Sequence, residues 1–149
     1  NVDNLHEKAG STRILHLHGE LMKVRSTTDP DLVYDITEID PDGWQLKMTD
    51  TCRKGSLLRP HIVWFGEEVP MMLEATKETV TADIFIVIGT SLVVYPAAGL
   101  LNYVAEEVSK FIIDPNLPEV YGKKNLFMIA EKATVGMKIV VEQISQTLR

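Results

Sequence analysis

The sequence predicts an α/β protein built on a mostly parallel sheet, and three observations carry that expectation. Two apolar runs, Ile84-Phe85-Ile86-Val87-Ile88 and Phe111-Ile112-Ile113, lack the polar alternation of a half-solvated strand and read as strands covered on both faces. Segments of helical spacing alternate with them, as in chains that cross over between parallel strands. The first run ends in Gly89-Thr90-Ser91 and leads to Pro96, a strand, glycine turn and helix start in succession.

Composition sets the outer limits. At 149 residues with 45% hydrophobic and 24% charged side chains, the chain is one domain by length with room for a small insertion, and a domain of this size buries roughly 70% of its unfolded surface. A net charge of −6, with no more than two Lys or Arg in succession, offers no basic field, so direct nucleic-acid binding is not expected. No apolar run reaches 18 residues and no signal-peptide pattern appears, so no membrane role is expected. The single cysteine, Cys52, excludes an internal disulfide and a multi-cysteine metal site, and suits a reducing, cytoplasmic location.

In chain order, residues 1–10 open polar and continue with helix formers; Asp3 or Asn4 can cap a short helix that Gly10 ends. Ile14-Leu15-His16-Leu17-His18-Gly19 reads as a buried strand that places Ile14, His16 and His18 on one face and delivers a histidine to the sheet rim. On residues alone, each histidine is either a hydrogen-bonded rim group or a candidate for chemistry. Residues 20–56 mix charges with two Asp-Pro pairs. Asp40-Pro41-Asp42-Gly43 followed by alternating Trp44, Leu46 and Met48 predicts a hairpin in a small excursion from the main sheet. Apolar sequence returns at residues 57–67, and Pro70 precedes Met72, Leu73, Thr76 and Val80 at helical spacing.

Ile84 to Ile88 reads as the centre of the parallel sheet. Gly89, Thr90 and Ser91 at its carboxyl end supply a flexible backbone and two hydroxyls. Pro96 begins a helix with Ala97, Leu100, Leu101, Val104 and Val108 on one face. Phe111-Ile112-Ile113 ends in Asp114, either a turn residue before Pro115 or a carboxylate placed against ribose hydroxyls. Residues 125–129 form one more strand. A final helix from about residue 134 buries Met137, Val140, Val141, Ile144 and Leu148. The pattern is Rossmann-like, with helices on both faces of the sheet and a small inserted hairpin subdomain. Residues 1–19 and 57–149 form the main domain and 20–56 the insertion. No G-x-G-x-x-G occurs, so the usual pyrophosphate turn is missing.

Four ordered stretches together resemble the sirtuin family of NAD-dependent protein deacylases. They are Asn1-Val2-Asp3 with Leu5-His6 and Ala9-Gly10, then His18-Gly19, then Leu58-Arg59-Pro60 with Val63-Trp64-Phe65-Gly66-Glu67, and last Gly89-Thr90-Ser91-Leu92 with Val94 and Pro96. The resemblance implies an NAD-dependent protein-lysine deacylase that releases nicotinamide and O-acyl-ADP-ribose. It maps Asn1 and Asp3 onto the nicotinamide and its ribose, and His18 onto the general base acting on a ribose hydroxyl. An imidazole with an ordinary pKa near 6.5 suits that task. His16 stays a structural neighbour.

The resemblance further places Val63, Phe65, Gly66 and Glu67 on an edge strand that pairs with an acyl-lysine peptide, with Leu92 and Val94 on the peptide's other side. Phe65 would wall the acyl-lysine tunnel. Gly89, Thr90 and Ser91 would contact the adenosine ribose and phosphates, Asp114 the ribose hydroxyls, and Lys132 and Ala133 the adenine. Other readings of the same residues are a non-catalytic nucleotide-binding module and an ADP-ribosyltransferase.

Two departures from the family pattern bear on this. Typical sirtuins carry two Cys-x-x-Cys pairs that hold a structural zinc. Here that interval contains only Cys52, so no metal is expected, and the hairpin with Trp44 is expected to serve as the staple. The family's glycine-rich NAD turn would precede Asn1. The remaining amino-terminal portion of the same protein is therefore an expected partner, with this chain a cleaved or partial product.

Overall fold

The computed structural model describes residues 1–147. By its internal contacts the chain forms two compact units, one over Asn1–Met71 and one from Met72 onward.

In the amino-terminal unit the short helix α1 (Leu5–Lys8) is followed by strands β1 (Gly19–Ser26) and β2 (Val33–Asp35), helix α2 (Ile36–Ile39) and strand β3 (Leu58–Ile62). The sheet is antiparallel in the order β2-β1-β3. Asp3 Oδ1 accepts the Leu5 N–H at 3.0 Å and Gly10 follows α1 at φ +89°, as the sequence predicts for a capped helix closed by glycine. The core of this unit gathers Val24, Leu32, Ile36, Cys52 and Leu58.

Three expectations in this unit need correction. Residues 14–18 are not a strand: they run irregularly into a turn, closed by the Gly19 N–H on the His16 carbonyl at 3.3 Å, and β1 starts only at Gly19. The apolar run is real, but a chain that must reverse at Gly19 cannot extend a ladder through residue 18. His16 and His18 therefore do not share a strand face.

The hairpin around residues 40–43 is also absent. Asp35 accepts from Thr37 N–H while Glu38 accepts the Asp35 N–H, a reciprocal cap that makes residues 36–39 helical. The turn itself forms, with Gly43 N–H on Asp40 O, but no strand flanks it. Trp44 is exposed and Met48 is 90% exposed, so neither staples the segment. The hairpin of this region is β1–β2, registered Lys23↔Asp35 and Arg25↔Val33. Finally, β3 stops at Ile62, and residues 63–67 form a turn with Glu67 N–H on Trp64 O at 3.0 Å.

The second unit is a parallel sheet of β4 (Ile84–Ile88), β5 (Ser109–Ile113) and β6 (Leu126–Ile129), in that order. Helix α3 (Met72–Val80) precedes it, a 3₁₀ helix (Ala97–Asn102) links β4 to β5, and α4 (Ala133–Thr147) follows β6. The most buried strand is β5 rather than β4: Lys110 through Ile113 are all buried, whereas Ile84 and Ile88 are exposed at the ends of β4. An unbroken apolar run marks both strands and cannot say which one lies between the others. The helix expected from Pro96 is a single 3₁₀ segment, so Val104 and Val108 lie beyond it although Val104 is buried. On α3 the buried positions are Ala75 and Thr79, while Leu73 and Val80 are exposed.

The α4 face agrees with its spacing at Met137, Val140 and Ile144 but not at Val141. Val140 is buried against Phe111 and Ile113, with Met137 and Ile144 packed beside it; Val141 is exposed, and Leu148 lies outside the described residues. Gly136 is what lets the helix approach: a Cβ there would overlap Ile113 Cγ2. Lys110 is 1% exposed. Its Nζ donates to the carbonyls of Ala105 (2.7 Å), Val108 (2.7 Å), Glu106 (3.2 Å) and Lys124 (3.3 Å), so carbonyl dipoles take the place of a carboxylate in satisfying a buried cation.

Candidate active site

Three of the sequence-predicted stretches meet in the amino-terminal unit through backbone hydrogen bonds. Leu21 N–H on Val2 O (2.7 Å) ties the Asn1-Val2-Asp3 stretch to β1, and Val63 N–H on His18 O (3.0 Å) ties the histidine turn to the segment after β3. Gly19 is what makes the second approach possible. It is buried at φ +85°, and a Cβ there would collide with the His61 carbonyl. A glycine after His18 is therefore demanded by both the backbone conformation and the space.

The two histidines of the opening stretch are held differently. His16 Nε2 lies 2.6 Å from Glu7 Oε1, whereas among the described residues nothing hydrogen-bonds the half-buried ring of His18. Asp3 carries a carboxyl held below the usual range by the Leu5 N–H, partly offset by desolvation, and is anionic at neutral pH.

The turn over residues 63–67 is rigidly anchored. Glu67 accepts from Arg59 Nη1 (2.6 Å), Arg25 Nη2 (3.3 Å) and the Trp64 N–H (3.1 Å). These contacts, Arg59 first and the Trp64 amide next, hold its carboxyl below the ordinary range. Arg59 also donates to Ile62 O at 3.2 Å. The Leu-Arg-Pro and Phe-Gly-Glu stretches are thereby parts of one device, with Arg59 and Glu67 as its two ends. Glu67 faces the arginines, while Phe65 on the same turn is 93% exposed and Trp64 half exposed. Val63, Phe65 and Gly66 present an apolar, amide-bearing surface on a fixed turn.

In the second unit the carboxyl ends of the three parallel strands gather the remaining predicted residues. Ile88 pairs with Ile113, so Gly89 and Asp114, one residue beyond, are neighbours; the Gly89 N–H donates to Ile113 O at 2.9 Å. Gly89 has φ +64° and open space where a side chain would stand. Thr90 Oγ1 accepts the Leu92 N–H at 3.2 Å, and Leu92 itself adopts φ +55°. Asp114 Oδ1 accepts the Asn116 N–H at 2.7 Å. Lys132 and Ala133 are exposed where β6 passes into α4. Val94 is exposed with Val93 and Tyr95 on the segment after Leu92. The carboxyl edge of a parallel sheet is where such folds bind ligands.

Sequence reasoning overlooked two participants here. Arg25 lies 42 residues from its partner Glu67, and no local pattern marks the pair. His61 has a buried Nδ1 with no hydrogen-bond partner among the described residues; burial first, and Arg25 second, hold its pKa below the ordinary value.

A glycine turn, a carboxylate and a helix start along the carboxyl edge of a parallel sheet place the second unit among open α/β folds, which bind their ligands at that edge. Residues 1–96 match the model of the Sir2 family, and the chain belongs to that family. It is 47% identical over 148 residues to an NAD-dependent protein deacylase of Bacteroides thetaiotaomicron, covering 99% of this chain and 62% of the relative. To a protein of the same description from Helicobacter pylori it is 46% identical over 140 residues, covering 93% and 58%.

Among solved structures, a Sir2 homologue in complex with NAD superposes with a TM-score of 0.79 at 37% identity, covering all of this chain and 57% of that one. A Sir2 complex with a p53 peptide and NAD+ gives 0.76 at 28% identity, covering 97% and 61%. The chain thus spans about three-fifths of the length of these relatives. The Rossmann-like fold class expected from the sequence stands.

Proposed function

We propose that this chain is the portion of an NAD-dependent protein-lysine deacylase that carries the general base, the peptide-docking turn and the adenosine side of the NAD site. The observation that carries the reading is the half-buried ring of His18, without a hydrogen-bond partner among the described residues and fixed by its own carbonyl to Val63 at the start of the 63–66 surface. NAD is the cosubstrate and an acylated lysine of a protein or peptide the acyl donor; a relative named NAD-dependent protein deacylase and Sir2 complexes with NAD and with a p53 peptide support this reading.

In this reading His18 would accept the proton of a ribose hydroxyl of the bound cosubstrate. The base stands on a turn that Gly19 and Val63 hold rigid, which keeps it in place for the transfer. Asp3, ionised at neutral pH, would hold the nicotinamide ribose with Asn1. The turn amides and Phe65 would hold the substrate main chain and the acyl-lysine stem, and Leu92 and Val94 are further candidate peptide contacts. Gly89, Thr90, Ser91 and Asp114 would receive phosphate and ribose, and Lys132 and Ala133 adenine.

The test uses the full-length protein with NAD and an acylated peptide, products read by mass spectrometry. His18→Ala is expected to lower turnover by at least about 10²-fold, the lower end of a positioned base's contribution, with circular dichroism unchanged. Full activity in a folded His18→Ala protein would refute the role. Recovery of ADP-ribosylated protein in place of O-acyl-ADP-ribose would shift the reaction to ADP-ribosyl transfer.

A further inference from the structure

Three side chains from separate segments of the amino-terminal unit converge at the foot of β1. Glu7 comes from α1, His16 from the turn before β1, and Glu20 from the second residue of β1. One ligand atom from each lies within 4.8 Å of the others. His16 Nε2 stands 2.6 Å from Glu7 Oε1 and 3.8 Å from Glu20 Oε2. Ligands held roughly 2.1 Å from a tetrahedral ion are about 3.4 Å apart, so the two separations bracket what an ion would require and small side-chain rotations meet it. One imidazole and two carboxylates form the mixed nitrogen and oxygen donor set that suits zinc-like divalent ions.

We propose that Glu7, His16 and Glu20 form a binding site for a divalent transition-metal ion of the zinc type, with solvent completing its coordination. Further observations suit that assignment. The second oxygen of Glu20 is bound by Lys23 Nζ at 2.9 Å, which fixes the carboxylate with Oε2 toward His16. His16 is only 16% exposed in its side chain, so its ring is already ordered before an ion arrives. The bound ion would tie α1 to β1 across the turn that carries His18. This oxygen-rich site differs in ligands and position from a sulfur-ligated structural zinc, and it does not depend on the proposed activity.

Titration of the full chain with Co2+, whose visible absorption reports coordination geometry, and with Zn2+ by calorimetry tests the proposal. One equivalent of ion is expected to bind. His16→Ala and Glu7→Gln should each weaken binding at least about tenfold, a loss that even removal of an outer-sphere partner can bring, while Cys52→Ser should leave it unchanged. Absence of binding up to millimolar ion, or binding that survives His16→Ala unchanged, overturns the site. If His16→Ala fails to fold by circular dichroism, Glu7→Gln decides alone, and unchanged affinity in it is equally fatal.

Discussion

His61 shows how a single residue can couple the site to its medium. Burial of its ring, with an Nδ1 that has no partner among the described residues, and the neighbouring Arg25 cation make folding favour the neutral form. The folded pKa therefore lies below that of the unfolded chain, near 6.5. Above that value both states hold a neutral imidazole and the contribution is constant. As pH falls below about 6.5, the unfolded state takes up a proton that the folded state resists, and stability declines. Urea midpoints measured between pH 7.5 and pH 5 are expected to fall with acidification, and His61→Gln should flatten that decline. An unaltered slope in the variant would refute the assignment. The paired carboxylate of Glu67 also loses its contribution on acidification, but below the usual carboxylate pKa, so the two effects separate along the pH axis.

Among the elements, α4 and β5 are fitted to one another by a single missing methyl group. Alanine at position 136 would improve helix propensity by about 1 kcal/mol, yet its Cβ would fall on Ile113 Cγ2, and overpacking commonly costs about 1–3 kcal/mol. Gly136→Ala is thus expected to be net destabilising in the native background. In an Ile113→Ala background, already weakened by roughly 2–5 kcal/mol, the same change should be neutral or favourable. Chemical denaturation of the four proteins in the cycle measures this coupling, and additivity would show that the two side chains do not meet.

Both elements were legible in the sequence because burial on both strand faces and a helical stripe each leave a local signature. The 63–67 turn was not, since a run rich in Val, Trp and Phe has strand composition whether or not a neighbour pairs with it. What sets its shape is Glu67 reaching Arg59 and Arg25, contacts that periodicity does not register. The same holds for residues 14–18, where the reversal at Gly19 depends on the approach of the His61 carbonyl.

For the molecule as a whole, the two units have separate cores, one around Val24 and Cys52 and one around Ile113 and Val140. The family was legible in the sequence as ordered short stretches, and backbone geometry fixes those of the amino-terminal unit, Val2 to Leu21 of β1 and His18 to Val63, each through a hydrogen bond. The grouping of Glu7, His16 and Glu20 left no such trace, since helix, turn and strand bring them together from unrelated spacing. Lys110 adds a different kind of information about the carboxyl-side unit. Its amine, enclosed by four carbonyls, is shielded from acylating reagents as long as that unit stays closed, whereas amines such as Lys54 and Lys124 stand in solvent. Pulses of acetic anhydride should mark the exposed lysines at once and Lys110 only at the rate of unit opening. Peptide mass spectrometry would then turn one buried amine into a clock for the unfolding of half the chain, and early labelling of Lys110 would show that the enclosure opens locally.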